Sequence, residues 1–257
     1  MRVADDEPDL GPWAAEPTLD VAGRLVELAR ARRAGSARAG PLVVAVDGRS
    51  AGGKSTAAGR LAAATPGAVV VHTDDIAWHH GFFDWDGLLV DGVLDPGARG
   101  EAVSFRPPAW VERGREGAVE VPADSTAVFV EGVGSSRASL ALWLDATVWV
   151  QSDEAQAYRR GIDRDVELGR ERAEAVAFWD EWMAHEGPFL AADRPWERAD
   201  VVLCSTPEPA VPDGVVAVSR ARAVPGAPAA RTSSGTATGR DPVRGRPGGR
   251  TPSRRTA

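Results

Sequence analysis

The sequence contains no asparagine, one lysine and one cysteine in 257 residues. With Cys204 alone, no intrachain disulfide forms and no cysteine-based zinc cluster exists. The N-K-x-D element by which GTPases read guanine is absent, since it needs an asparagine and the only lysine is Lys54. Asp84-Trp85-Asp86-Gly87 fits D-x-x-G but does not directly follow an expected strand. No stretch approaches the ~18 uninterrupted apolar residues of a membrane span. The first residues carry Asp5, Asp6, Glu7 and Asp9 instead of a basic region and an apolar run, so no signal peptide is expected and a cytoplasmic location is.

Charge is unevenly spread. The formal net charge is −7, yet from Arg220 onward there are nine arginines and one acid, Asp241, so the preceding body is more acidic than the total suggests. An acidic body argues against general nucleic-acid binding. The basic tail reads as a solvated extension. Self-association stays open.

Residues 1–17, acidic and proline-bearing, are expected to be disordered. Residues 221–257, with almost no large apolar groups, are expected to be disordered as well. Between them, 18–220 reads as one domain. Thr18 is expected to cap a helix running to about Ala34. Residues 42–46 form a short continuous apolar run that suits a buried parallel strand, followed by a glycine-rich turn and a helix over 55–64. Further strands are expected at 68–71, 127–130, 146–150 and 200–204, with a sixth at 215–218. Helices are expected over 136–144 and over 153–186, the latter broken near 161–169. Strands alternating with helices predict an α/β fold whose ligands bind beyond the C-terminal ends of the strands.

The chemistry begins there. Gly48, Arg49, Ser50, Ala51, Gly52, Gly53, Lys54 and Ser55 fit G-x-x-x-x-G-K-[ST] without a mismatch. Glycines let such a loop curl its backbone N–H groups toward phosphate oxygens, and the following helix adds its positive end. Lys54 is placed to reach the β- and γ-phosphates and Ser55 to offer its hydroxyl to Mg²⁺; with Thr56 just behind, these residues form the expected ATP site. A compact ammonium is needed at that point, which explains one lysine among 29 arginines.

The second strand ends in His72-Thr73-Asp74-Asp75, where an acid faces the γ-phosphate and could accept a proton from an attacking hydroxyl. The third ends in Glu131-Gly132, where a carboxylate suits a magnesium role. Then comes Tyr158-Arg159-Arg160-Gly161-Ile162-Asp163-Arg164-Asp165, closing on Gly169-Arg170. Arg160 and Arg164 share a helix face and could stabilise charge on a transferring phosphoryl group.

Together these elements resemble uridine kinases and their relatives, phosphoribulokinase, pantothenate kinase and nicotinamide riboside kinase. The lid is similar to that family's R-R-x-x-R-D-x-x-x-x-G-R, His72-Thr73-Asp74-Asp75 resembles its H/S-Q-D-D/S element, and Ala199-Asp200-Val201-Val202 resembles its A-D-x-I strand. The resemblance implies a P-loop NTPase fold with a five-stranded parallel sheet, helices on both faces and a helical lid. It implies transfer of the ATP γ-phosphoryl group to a hydroxyl of a nucleoside-like small molecule, with Asp74 as base, Arg160, Arg164 and Arg170 as lid cations, and Ser55 and Glu131 at Mg²⁺. The sequence departs from the family at Ile76-Ala77-Trp78 and at Val111, both in acceptor-contacting segments. The alternative is therefore an ATP-binding P-loop protein without kinase activity, serving as a regulatory or partner-binding module. His72, His79 and His80 lack a fourth ligand at convincing spacing and are not read as a zinc site. Trp78, Phe82, Phe83 and Trp85 either stack on an acceptor or pack over the sheet edge, while Trp179, Trp182 and Trp196 read as packing residues.

Overall fold

The computed structural model describes residues 1–221, and the expectation for the tail lies outside them. At the centre is Leu42–Gly48 (β2), buried at every position because neighbouring strands flank it and helices cover both its faces. Parallel to it on one side run Ala127–Glu131 (β6) and then Ala68–His72 (β3). On the other side lie Ala146–Gln151 (β7) and Val201–Cys204 (β8). These are the five expected parallel strands, and their order around the Walker loop is that of a P-loop NTPase fold. The sheet is larger than expected, however. The expected sixth strand, Val215–Ser219 (β9), adds antiparallel to β8, and Trp13–Pro17 (β1), which was not expected, adds antiparallel to β9, making seven strands.

One face of the sheet packs Val44, Val46, Phe129 and Val148 against Thr18–Arg33 (α1) and Lys54–Ala63 (α2), which contribute Leu25, Ala58 and Leu61. The alternate residues Val43, Val128 and Val130 face the other side. There they meet Ile76 of Thr73–Ile76 (α3), Leu89 of Asp86–Leu89 (α4), a π-turn at Val90–Leu94, Asp95–Ala98 (α5) and Trp110 of Pro108–Glu112 (α6). A small ribbon of Val103–Phe105 (β4) and Val119–Val121 (β5) completes this layer. Glu154–Glu167 (α7) and Arg172–Asp193 (α8) form the lid pair.

Several expectations change. The segment 1–17 is not disordered: Glu7 is buried, and its carboxylate accepts hydrogen bonds from Trp149 Nε1 and Gln151 Nε2, both at 2.7 Å, and from Arg49 Nε at 3.0 Å. Its acids and prolines suggested solvation, but one acid has buried donors waiting for it. Thr18 does not cap α1; it is the first helical residue, and Pro17 holds the cap position without a side-chain bond. The helix expected over 136–144 shrinks to a single 3₁₀ turn at Ala138–Leu140, because Ser136 is tied by its backbone and hydroxyl to Asp47. The lid break falls at 168–171, at the Gly169 end of the expected span, while Gly161 lies inside α7, where the Trp179 ring occupies the space a side chain would need.

Asp145, fully buried just before β7, joins three elements. It pairs with Arg33 at the end of α1, with Arg38 at 2.5 Å, and accepts from Val43 N at 2.8 Å. Removing one member of such a buried network strands the others. Asp145→Ala is expected to lower unfolding free energy by about 3 kcal/mol, read from urea denaturation.

Candidate functional site

The Walker loop runs from the C-terminal end of β2 into α2, at the point where the strand order departs to either side. Its turn into the helix is made by Gly53 at φ +90, where a Cβ would lie 2.8 Å from Ser205 Cβ. Lys54 is buried, with Nζ donating to the Arg49 carbonyl at 2.9 Å. Arg49 points away from the loop's concave side and is held by Asp6 and Glu7.

Behind the loop lies Asp47, which the sequence reading had passed over as part of the turn. Its carboxylate, fully buried, accepts from Gly48 N at 2.7 Å, Gly134 N at 2.8 Å, Ser136 N at 2.9 Å and Ser136 Oγ at 2.7 Å. Burial pushes its pKa up against the pull of those donors. Asp47 thus pins the Walker loop to the loop that follows Glu131. A polar residue ending an otherwise apolar strand was the signal for it.

Glu131 ends β6, buried beside the start of α2. Its Oε2 lies 2.7 Å from His72 Nδ1 at the end of β3. Burial raises its pKa, but the His72 hydrogen bond, the Lys54 charge and a Ser55 hydrogen bond outweigh that, so the carboxyl is held below its ordinary range. The same bond raises the pKa of His72, against partial burial. Gly132 follows at φ +149, and a Cβ there would fall 1.7 Å from Thr73 Oγ1, so only glycine lets the β6 loop close on the segment carrying Asp74.

Lys54, Ser55, Asp74, Glu131 and Arg164 line one cavity of about 440 Å³. Its far wall is aromatic and imidazole: His79, His80, Phe82, Trp85, Phe178, Trp179 and Trp182. Phe82 packs edge-on to Trp182 at 5.3 Å and lies 4.5 Å from His185. His79 has φ +55, a strained value for a residue with a side chain, at the rim of this wall. Trp179 and Trp182 therefore face the site, although the sequence gave no reason to separate them from packing residues such as Trp196.

The two adjacent aspartates differ. Asp74 is exposed to the cavity and makes no hydrogen bond or ion pair among the described residues. Asp75 is paired with Arg115 at 2.6 Å, its carbonyl accepts from Trp110 Nε1 at 2.9 Å, and Arg115 lies 3.6 Å above the Trp110 ring.

The lid arginines are not gathered at one point. Arg164 lines the first cavity and also a second one of about 520 Å³ on the opposite flank of the Walker loop. Arg160 lines only the second, with Ser55, Thr56, Arg60 and Ser205. Arg170 lines neither of these; it lies 3.7 Å from Asp165 and 4.2 Å above the Phe178 ring.

No protein-family model matches the sequence, and no curated protein matches it. Among solved structures, the chain is similar to a candidate fructose transport system kinase from Silicibacter sp. TM1040, at 20% identity and a TM-score of 0.48, covering 72% of this chain and 95% of that one. It is also similar to a D-glycerate 3-kinase from Cryptococcus neoformans var. grubii, at 12% identity and 0.47, covering 73% and 93%. A candidate uridine kinase from Bacillus stearothermophilus is similar at 20% identity and 0.39, covering 71% and 98%.

Proposed function

We propose that the chain is an ATP- and Mg²⁺-dependent kinase that transfers the γ-phosphoryl group to a hydroxyl of an uncharged, nucleoside-like molecule. The observation that carries this reading is the cavity in which Asp74, without a hydrogen bond or ion pair among the described residues, shares walls with Lys54, Ser55 and Glu131. A pure nucleotide switch has no use for an aromatic chamber opposite its phosphate loop.

The chemistry of the walls supports the acceptor class. The arginine and lysine lining this cavity, Arg164 and Lys54, belong to the lid and the phosphate loop. The far wall offers flat aromatic surface and imidazoles. The guanidiniums stacked on it do not line the cavity: Arg137, over the Trp85 ring at 4.3 Å, is buried and held by the Phe83 carbonyl and Asp86, and Arg170 is the lid cation over Phe178. Binding a carboxylate or phosphate acceptor would call for such a cation there. An uncharged heterocycle with hydroxyls needs stacking surface and a few polar contacts instead.

Backbone N–H groups of the Walker loop and the start of α2 would hold the triphosphate, with its nucleoside against Thr56, Arg60, Arg160 and Ser205 in the second cavity. Ser55 and Glu131 have the hard oxygen donors that suit Mg²⁺, which when bound neutralises charge on the β- and γ-oxygens. Asp74 takes the proton from the acceptor hydroxyl as that oxygen attacks. Lys54 and Arg164 stabilise the charge spread over the transferring group. The aromatic wall excludes water, which would otherwise compete as acceptor.

ADP formation by the purified full chain, measured with MgATP and separate panels of nucleosides, neutral sugars, hydroxy acids and sugar phosphates, tests this. Turnover is expected with nucleosides. Turnover only with anionic acceptors, or ADP formation that no acceptor stimulates, would reject the reading.

A further inference from the structure

We propose that Glu186 is a positioning residue that couples the phosphate loop to the acceptor wall through a single oxygen. Glu186 lies on α8 with no solvent exposure. Its Oε2 accepts two hydrogen bonds, from the backbone N–H of Ser50 at 3.0 Å and from Trp182 Nε1 at 2.9 Å. Ser50 stands at the turn of the Walker loop. Trp182 belongs to the aromatic wall and packs edge-on against Phe82. The donor and acceptor sides of the proposed reaction therefore meet at one atom.

Stability does not explain this carboxylate. Glu186 has no ion-pair partner among the described residues, and its other oxygen, Oε1, is buried without a hydrogen bond. A buried charge left half-satisfied costs more than an apolar residue of similar volume at the same place. What the charged oxygen supplies is a strong acceptor for two donors that are 132 positions apart in the chain and belong to different parts of the site. Movement of the Trp182 indole, as when a ring enters against Phe82, shifts the acceptor of the Ser50 N–H. By linkage, a loop fixed by triphosphate holds Trp182 in its acceptor-ready position. The Ser50 side of this proposal stands on the loop geometry alone, whereas the Trp182 side rests on the kinase reading above.

The test uses the purified full chain and MgATP affinity by calorimetry without any acceptor, so that it does not depend on knowing the acceptor. Glu186→Ala is expected to weaken MgATP binding about tenfold, the scale of losing a hydrogen bond to a charged acceptor. In Glu186→Gln the amide oxygen still accepts both bonds, so affinity returns to within about twofold of wild type, while the amide NH₂, placed where Oε1 has no partner, leaves buried donors unsatisfied and lowers the melting temperature. Trp182→Phe, a change on the acceptor wall, is expected to weaken MgATP about threefold and, with a nucleoside that turns over, to raise its KM without an equal fall in kcat. Glutamine failing as badly as alanine would overturn the proposal, and so would Trp182→Phe leaving MgATP affinity untouched. If Glu186→Ala does not fold, the glutamine and phenylalanine variants decide it by the same two criteria. A wild-type chain that binds MgATP but phosphorylates no acceptor would reject the kinase reading, while the alanine-glutamine comparison would still decide the Ser50 bond.

Discussion

Lys54→Ala is expected to lower kcat/KM for MgATP by at least about 10³ while the melting temperature stays close to that of the wild-type chain. The loss is large because the ammonium would act on the β- and γ-oxygens in a site sheltered from water, where a point charge is worth far more than on a surface. The fold is expected to survive for a local reason. Lys54 is buried, but the one side-chain hydrogen bond it makes among the described residues goes to the Arg49 carbonyl. That carbonyl also accepts from Gly52 N at 3.0 Å, so truncation leaves no orphaned group. Lys54→Arg is expected to be nearly as damaging. A planar, forked guanidinium does not reproduce the compact point charge that an ammonium places between phosphate oxygens. Steady-state kinetics in MgATP together with a thermal melt separate the outcomes. Native kcat/KM for MgATP in the alanine variant would refute the assignment of the loop.

Much of this was legible because it is local. The Walker loop is eight consecutive residues whose spacing is dictated by phosphate geometry, and the strands around it are short apolar runs that only a two-sided sheet explains. The lid signature likewise lies within one helix and the turn after it. What could not be read depends on distant pairing. Nothing near Glu7 in the chain announces that Arg49, Trp149 and Gln151 will converge on it, so an acidic, proline-bearing start read as solvated. Trp13–Pro17 has no strong strand pattern and takes its conformation from the edge that β9 offers. The seven-strand sheet was undercounted for that reason. Trp182 and Trp196 look alike in the sequence. Only the fold separates them: α8 turns Trp182 toward the cavity, and the 3₁₀ turn at Pro195–Glu197 sends Trp196 into the core against Trp149 at 5.4 Å. Arg160 and Arg164, four residues apart, share a helix face as expected, yet the helix passes over the Walker loop so that only Arg164 reaches the cavity of Asp74.

The aspartate pair gives the sharpest separation of roles. Asp74→Asn keeps size and hydrogen-bonding capacity but removes the ability to accept a proton. With Asp74 as base, kcat is expected to fall by ~10²–10⁴ while KM for ATP changes little. Sequence chemistry alone could not rank Asp74 above Asp75, and the order came from the family resemblance. The two side chains differ in geometry: Asp75 is committed to Arg115, which is itself held over Trp110, whereas Asp74 makes no hydrogen bond or ion pair among the described residues and opens on the cavity. Asp75→Asn weakens one half-exposed ion pair, an effect of about 1 kcal/mol or less on stability, and is expected to leave kcat within about threefold. The pair also carries a pre-steady-state signature. Where product release limits the wild-type chain, it is expected to show a pre-steady-state burst of ADP; Asp74→Asn, limited by proton transfer, is expected to lose that burst, whereas a variant that merely loosens α3 keeps it and raises the acceptor KM. Equal losses in the two asparagine variants would point to shared metal binding by the pair, and a loss confined to Asp75→Asn would move the base by one residue and contradict the arrangement in which Arg115 holds that side chain away from the reacting oxygen.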